Sequence, residues 1–220
     1  MCLTFSFIEF VKGVILYIFL TQSMIFWLRT KTYLTDDAEI AAIATKYAQT
    51  GQGVEFSYSK IKTELRKRFP GHILSEEDEQ WMFMNARSWK GKMCILHASL
   101  SEYILLFGTD VDIVSFFGRY WANTSYTILT GSCRQWKFGQ LSSKVFAPGE
   151  TVFHTWDEVS PFELEAGTLM VEYGRGFIPY TFGFALADKF ITDFLTLFYT
   201  LRVYSKALLT EIRVYLKDLL

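Results

Sequence analysis

The chain reads as an α+β membrane protein, with an N-terminal transmembrane helix, a β-sandwich or barrel in its middle, and amphipathic helices at its end. Three features of the sequence lead there. Val11–Leu28 (VKGVILYIFLTQSMIFWL) carries no formal charge after Lys12. From Met93 to about Tyr180, short runs rich in Tyr, Phe, Trp, Val, Ile and Thr alternate with glycines. From Ala185 to Leu220 there is no Gly or Pro, and apolar residues recur at helical spacing. The composition agrees. Half of the 220 residues are hydrophobic, 18% are aromatic and 20% charged, so the chain can bury enough apolar surface to fold. A mean hydropathy of +0.17 further implies that part of it sits in or on lipid. Lys plus Arg number 22 against 23 Asp plus Glu, a balance that excludes the basic footprint of a nucleic-acid binder. Cys2, Cys94 and Cys133 are too few for a disulfide framework and lack metal-ligand spacing.

The N-terminal segment, residues 1–31, is read as a membrane anchor. Together with the largely apolar Met1–Phe10 it approaches the ~20 residues a bilayer-crossing helix needs. Trp27, Arg29 and Lys31 form an interfacial collar. A cleaved signal peptide is the competing reading, disfavoured by the missing basic n-region and small-residue cleavage site. A buried helix of a soluble domain is the other. Arg29 and Lys31 favour a cytosolic domain, but Lys12 weakens that bias.

Residues 32–92 are expected to be helical. Asp36-Asp37-Ala38-Glu39 has capping-box spacing and opens AEIAAIATKYAQ. A second helix covers Phe56–Arg68, whose Arg66-Lys67-Arg68 run is expected to form a solvated face rather than a partner site. Ser75-Glu76-Glu77-Asp78 repeats the capping signal and predicts a third helix running toward Ala86. Residues 93–180 follow as the all-β unit, with turns at Gly108, Gly118, Gly131, Gly139, Pro148-Gly149, Gly167 and Gly174. An interior of this kind can hold one small ligand.

In residues 181–220, Arg202, Lys206, Arg213 and Lys217 share one helix face. Leu201, Tyr204, Leu208, Ile212, Tyr215 and Leu219 occupy the others. A basic amphipathic helix of this type lies on a membrane surface, or else packs on the β-unit.

Glu172 stands out chemically, because it interrupts the apolar strand Leu169–Gly174. Alternation puts Met170, Glu172 and Gly174 on one face and Val171 and Tyr173 on the other. A buried carboxylate must raise its pKa or find a cation, and an amine entering an aromatic cavity would serve. The plainer readings are a solvent-facing Glu, or one paired to Arg175 or Arg119. Glu102 is a second strand acid, but its neighbour Tyr103 faces the other way, so only one of the two can meet a ligand. His97 and His154 are isolated in sequence. No Ser/His/Asp or Cys/His set, phosphate loop or metal cluster is evident, so no metal or cofactor is expected.

His97–Gly108 (HASLSEYILLFG), Gly118–Ala122 (GRYWA), Pro148–Thr151 (PGET), Met170–Gly176 (MVEYGRG), Phe184–Asp188 (FALAD) and Asp193–Arg202 (DFLTLFYTLR) closely resemble the family of the sigma-1 receptor and the fungal C-8 sterol isomerases. The similarity runs from about Asp37 to near the C-terminus. It implies a cupin-like β-barrel, one transmembrane helix and two C-terminal helices on the membrane. It further implies an endoplasmic-reticulum and nuclear-envelope location, a lumenal barrel, a homotrimer and a closed pocket in each barrel.

In such proteins the glutamate of the MVEYGRG block, here Glu172, receives the protonated amine of drug-like and lipid-like ligands. The tyrosine of the SEY block, Tyr103, bonds that carboxylate. Trp89, Met93, Leu105, Phe107, Ile178, Phe184 and Ala185 would line the pocket. The implied role is a non-enzymatic, chaperone-like receptor for cationic amphiphilic small molecules and sterols. It would act on ion channels, calcium signalling and lipid transport, together with endoplasmic-reticulum chaperones. A sterol Δ8–Δ7 isomerase and a closed, empty barrel are the alternatives.

The departures matter. Tyr126 stands where a second pocket acid is expected, and a phenol of pKa ~10 replaces a carboxylate poorly in isomerase chemistry. It could instead donate a hydrogen bond to Glu172, whose ionisation should become easier without a like charge nearby. Arg87-Ser88-Trp89-Lys90-Gly91 replaces a glycine-rich assembly motif. Val111–Phe117 and Val159–Leu164 differ strongly, and Asn123-Thr124-Ser125 is a glycosylation sequon.

Overall fold

The fold is described from a computed structural model over residues 7–48, 53–86, 89–137, 139–187 and 189–219. It has two units, one ending at Tyr33 and one beginning at Leu34.

In the first unit, α1 (Phe7–Thr30) is one 24-residue helix, long and apolar enough to cross a membrane. It is apolar all round rather than on one stripe, and Leu28 is its one buried residue among those described. Its hydroxyls are satisfied internally: Thr21 Oγ1 donates to Tyr17 O at 2.8 Å and Thr30 Oγ1 to Phe26 O at 2.9 Å. This is the arrangement that backbone and hydroxyl groups need where water is absent. Lys12 pairs with Glu9 at 2.8 Å. After the helix the Lys31 ammonium lies 5.5 Å from the Trp27 ring centre and 5.1 Å from that of Tyr33.

The second unit begins with α2 (Asp37–Ala48) and α3 (Val54–Arg68). Asp36 caps α2, its Oδ1 accepting the Glu39 N–H at 2.8 Å. Glu39 turns instead to Arg68 and Thr35. The 66–68 face is thus less free than expected, since Arg66 also binds Glu76, Glu79 and the Leu74 carbonyl.

Ten strands follow: β1 (Trp81–Ala86), β2 (Trp89–Ala98), β3 (Glu102–Gly108), β4 (Ile113–Phe117), β5 (Ala122–Thr130), β6 (Cys133–Trp136), β7 (Ser143–Phe146), β8 (Thr151–His154), β9 (Ser160–Leu164) and β10 (Leu169–Gly176). They form an antiparallel six-stranded sheet, β1-β2-β3-β10-β5-β8, and a four-stranded sheet, β4-β9-β6-β7. The expected helix toward Ala86 is therefore wrong. Residues 75–78 make a turn closed by Asp78 N–H and Glu79 N–H on Ser75 O, both at 3.1 Å. The next residues alternate with period two, Met82 being 3% exposed between Trp81 at 43% and Phe83 at 77%. Pairing in register with β2, Trp81 opposite Cys94, overrides the local capping signal. The β-unit also starts earlier than residue 93.

The six-stranded sheet is covered on both faces. Ile40, Ile43, Ile61 and Leu65 of the two helices pack on Leu96, Ile104, Leu106, Leu129 and Val171. Phe107, Ile128 and Met170 face the opposite way, into a second core shared with Phe117, Phe162 and Leu164 of the smaller sheet. This double burial explains the nearly continuous apolar runs of β3 and β10. β4 instead alternates strictly, with Val114 and Phe116 exposed. Strands β4 and β9 are hydrogen-bonded partners, Ile113 opposite Leu164 and Phe117 opposite Ser160.

Helices α4 (Ile178–Ala187), α5 (Lys189–Thr192) and α6 (Phe194–Leu219) end the chain. On α6, Leu197, Thr200, Val203, Tyr204 and Ala207 are buried, the i, i+3, i+4, i+7 stripe of a packed helix. Phe194, Phe198, Leu209, Ile212 and Leu216 are exposed beside the basic residues. The packed-helix reading thus holds for one face of α6, and the other face is exposed. Tyr204 packs inward and Leu208 is half-buried, Leu201, Ile212 and Tyr215 point outward, and the side chain of Leu219 lies outside those described. Lys206 turns to Asp78.

Candidate functional site: an apolar cavity around Glu172

β10 is flanked by β3 and β5, with Glu172 opposite Leu105 on one side and Tyr126 on the other. Alternation points Glu172 away from the helix-covered face and into a cavity of about 720 Å³, including its mouth. Its walls come from β1, β2, β3, β5, α4 and α6, and Glu172 is the one carboxylate among the described lining residues. The surface that Glu172 keeps is cavity wall.

One oxygen of Glu172, Oε1, accepts the Tyr103 phenol. Neither arginine considered for it is its partner. Arg119 binds Asp157 at 3.1 Å, and Arg175, an odd number of residues away, faces the other side of the sheet. Burial pushes the Glu172 carboxyl up to about 7, although the Tyr103 bond opposes the shift. Burial, with the nearby carboxylate, pushes the Tyr103 and Tyr126 phenols well above 10, so both are neutral. The carboxylate therefore titrates near neutrality with no cation among the described residues to hold its charge.

Gly174 makes the Tyr103 position possible. It lies opposite Tyr103 in the ladder, and a methyl group there would overlap the tyrosine ring. Tyr126 does not bond Glu172. Its oxygen accepts Thr124 Oγ1 at 3.0 Å and its ring stacks on Phe117 at 4.8 Å.

Trp89, Met93, Leu105, Ile178 and Ala185 all stand in the lining with Glu172, Tyr103 and Tyr126. Phe107 does not: it is fully buried behind Trp89, edge-on at 5.3 Å. The side chain of Phe184 lies outside the described residues. Sequence reasoning missed Met84, Ile95, Ala98, Tyr120, Thr181, Phe182 and Tyr204. Ile95 follows from alternation with Met93, but Ala98 does not, because a bulge between Ile95 and His97 resets the register. Tyr204 of α6 stacks on Phe182 of α4 at 4.0 Å and closes one side.

His97 is not isolated, as its sequence position suggested. Its Nδ1 lies 3.0 Å from His72 O and 3.4 Å from Glu211 of α6, which is itself 2.9 Å from His72 Nδ1. Burial pushes the Glu211 carboxyl up, but the two imidazoles outweigh it and hold it below the usual range. This cluster pins α6 to the sheet, outside the cavity.

Residues 10–215 match the family described as "ERG2 and Sigma1 receptor like protein". The chain belongs to this family. Among its relatives, Sigma non-opioid intracellular receptor 1 of Taricha granulosa is 53% identical over 88% of this chain and 86% of its own length. The protein of the same name from Xenopus tropicalis is 54% identical over 88% and 87%. C-8 sterol isomerase erg2 of Aspergillus fumigatus is 36% identical over 69% of this chain and 64% of its own. The family thus holds proteins named as receptors and a protein named as an enzyme, and this chain shares more identity with those receptors.

Proposed function

We propose that this chain is a non-enzymatic membrane receptor that takes protonated, amphiphilic amines and sterol-like lipids into the cavity, with the amine on Glu172. The observation that carries this reading is a carboxylate inside an apolar, aromatic wall, with one neutral donor and no cation beside it among the described residues. An ammonium group would complete the pair through a charge-assisted bond while its apolar body fills the cavity. Met84, Ile95 and Phe182 supply apolar surface for a sterol-like body.

In this reading α1 anchors the protein in the endoplasmic-reticulum membrane and nuclear envelope, with the β-unit in the lumen, and the exposed apolar and basic faces of α6 rest on lipid. The protein works as a homotrimer with chaperone-like action on ion channels, calcium signalling and lipid transport. Saturation binding of a radiolabelled hydrophobic amine to purified membranes tests the reading. Saturable binding by the wild type that Glu172→Gln abolishes is the expected result. Equal binding by both would refute it.

The sterol isomerase reading draws on one observation, a carboxyl that titrates at about 7 and so suits general acid–base work. Shifting a double bond requires protonation at one carbon and deprotonation at another, and Tyr126, held neutral, is a poor second partner. Failure of this chain to rescue an isomerase-deficient yeast is expected, and rescue would establish the enzyme reading. Tyr126→Asp restores a two-carboxylate site and is the variant in which weak rescue should first appear.

A further inference from the structure

The sequon Asn123-Thr124-Ser125 lies on the rim of the six-stranded sheet, away from Glu172. Strand β8 ends at His154, opposite Thr124, so Asn123 projects past the end of its neighbour. Asn123 is exposed, whereas Thr124 and Ser125 are buried. The amide of Asn123 is used on one side. Its Oδ1 accepts the Trp156 N–H at 2.7 Å, while Nδ2 has no protein partner among the described residues.

A polar groove of about 440 Å³ lies alongside, lined in part by Asp37, Thr155 and Arg175. Trp156, half-exposed, stacks on Trp121 at 5.7 Å and 25°. The site therefore offers a free amide nitrogen, polar groups for hydroxyls and an aromatic face for the C–H side of a sugar ring.

We propose that Asn123 is an N-glycan acceptor. The proposal rests on the lumenal placement of the β-unit. The co-reactant is a lipid-pyrophosphate-linked oligosaccharide. The Nδ2 lone pair attacks the anomeric carbon, and an N–C bond forms as the bond from that carbon to the pyrophosphate oxygen breaks. The lipid pyrophosphate leaves with the electron pair, and one Nδ2 proton passes to a base of the lumenal transferase. Oδ1 is retained in the product, so the Trp156 bond survives glycosylation. The transferase reads Ser125 on the nascent chain, before its burial. The folded rim then has only to accommodate the sugar.

The experiment is expression of the full chain in animal cells, with electrophoretic mobility read before and after endoglycosidase treatment. Alongside run Asn123→Gln, Ser125→Ala and Gln140→Asn. The last completes a sequon with Leu141 and Ser142 in an exposed loop and reports topology independently. The expected result is a one-glycan shift in the wild type, lost in Asn123→Gln and Ser125→Ala, and a two-glycan shift in Gln140→Asn. An unshifted wild type beside a shifted Gln140→Asn would overturn the proposal and leave the lumenal placement standing. No shift in any chain would overturn both.

Discussion

The β3–β10 pair carries a glutamate and a tyrosine on each face, and the two faces use them differently. On the helix-covered face, Glu102 of β3 is 3% exposed and fully engaged. Its Oε1 accepts Leu34 N–H at 2.9 Å and its Oε2 the Tyr173 phenol of β10 at 3.2 Å. Tyr173 in turn reaches Thr35 O at 2.8 Å, so the set ties the segment before α2 to the sheet. On the cavity face the strands exchange roles: Glu172 of β10 accepts the Tyr103 phenol of β3, with Tyr103 its one protein donor among the described residues. The same two residue types build a structural clamp where both oxygens have protein donors, and a cavity-lining carboxylate where, among the described residues, one oxygen does. What differs between the faces is how many protein donors each acid has among the described residues, not the presence of an acid.

The largest effect should come from treating the two acids alike. Glu172→Gln should weaken binding of a protonated amine by about a hundredfold or more, the usual cost of deleting one partner of a buried charged pair. Glu102→Gln should leave that affinity within about twofold but lower unfolding stability by ~1–3 kcal/mol, since a buried donor loses its acceptor. Radioligand saturation and thermal unfolding on both variants check this. Matching losses of affinity would erase the distinction between the faces.

The next effect is in pH. The Glu172 pKa is raised by folding, from 4.5 to about 7. The folded state therefore holds a proton that the unfolded chain has lost between these values, and the empty protein should lose stability as pH rises through this window. Amine affinity should move oppositely. It should fall about tenfold per unit as pH drops below about 7, and level off above it until the amine itself deprotonates. The stability trend should vanish in Glu172→Gln, and both trends should persist in Glu102→Gln.

Two smaller changes sharpen the geometry. Gly174→Ala should push the Tyr103 ring aside, costing ~1–3 kcal/mol of stability and several-fold in amine affinity. Tyr103→Phe keeps the ring and removes the bond. Since hydrogen bonds to a charged group contribute ~1.5–3 kcal/mol, the midpoint of the binding–pH profile should rise by about one to two units, with affinity at high pH reduced a few-fold. An unmoved midpoint would mean that Tyr103 does not stabilise the carboxylate.

Much of this arrangement was legible in the sequence because it follows from period-two alternation. Alternation grouped Glu172 with Met170 and Gly174 and set Glu102 against Tyr103, whereas the places of Tyr103 and Met93 beside Glu172 came from the family resemblance. What was hidden depends on non-local contacts. The strand at Trp81–Ala86 competes with a capping signal that looks helical, and only its pairing with β2 decides the matter. Ala98 reaches the cavity through a bulge that no local pattern announces. Phe107 shares a face with Leu105 but sits farther along the strand, where Trp89 stands in front of it. Thr181 and Tyr204 are placed by helix docking, and Glu211 meets His97 across more than a hundred residues of chain.

Proton release on amine binding reports whether the cavity carboxylate gives up its proton to pair with a cation. Calorimetric titration of the purified protein with a hydrophobic amine, at pH 6 in buffers of different ionisation enthalpy, counts the protons exchanged. With Glu172 titrating at about 7, close to one proton should leave per amine bound, and almost none at pH 9. Binding of equal strength at both pH values with no proton released would contradict the account.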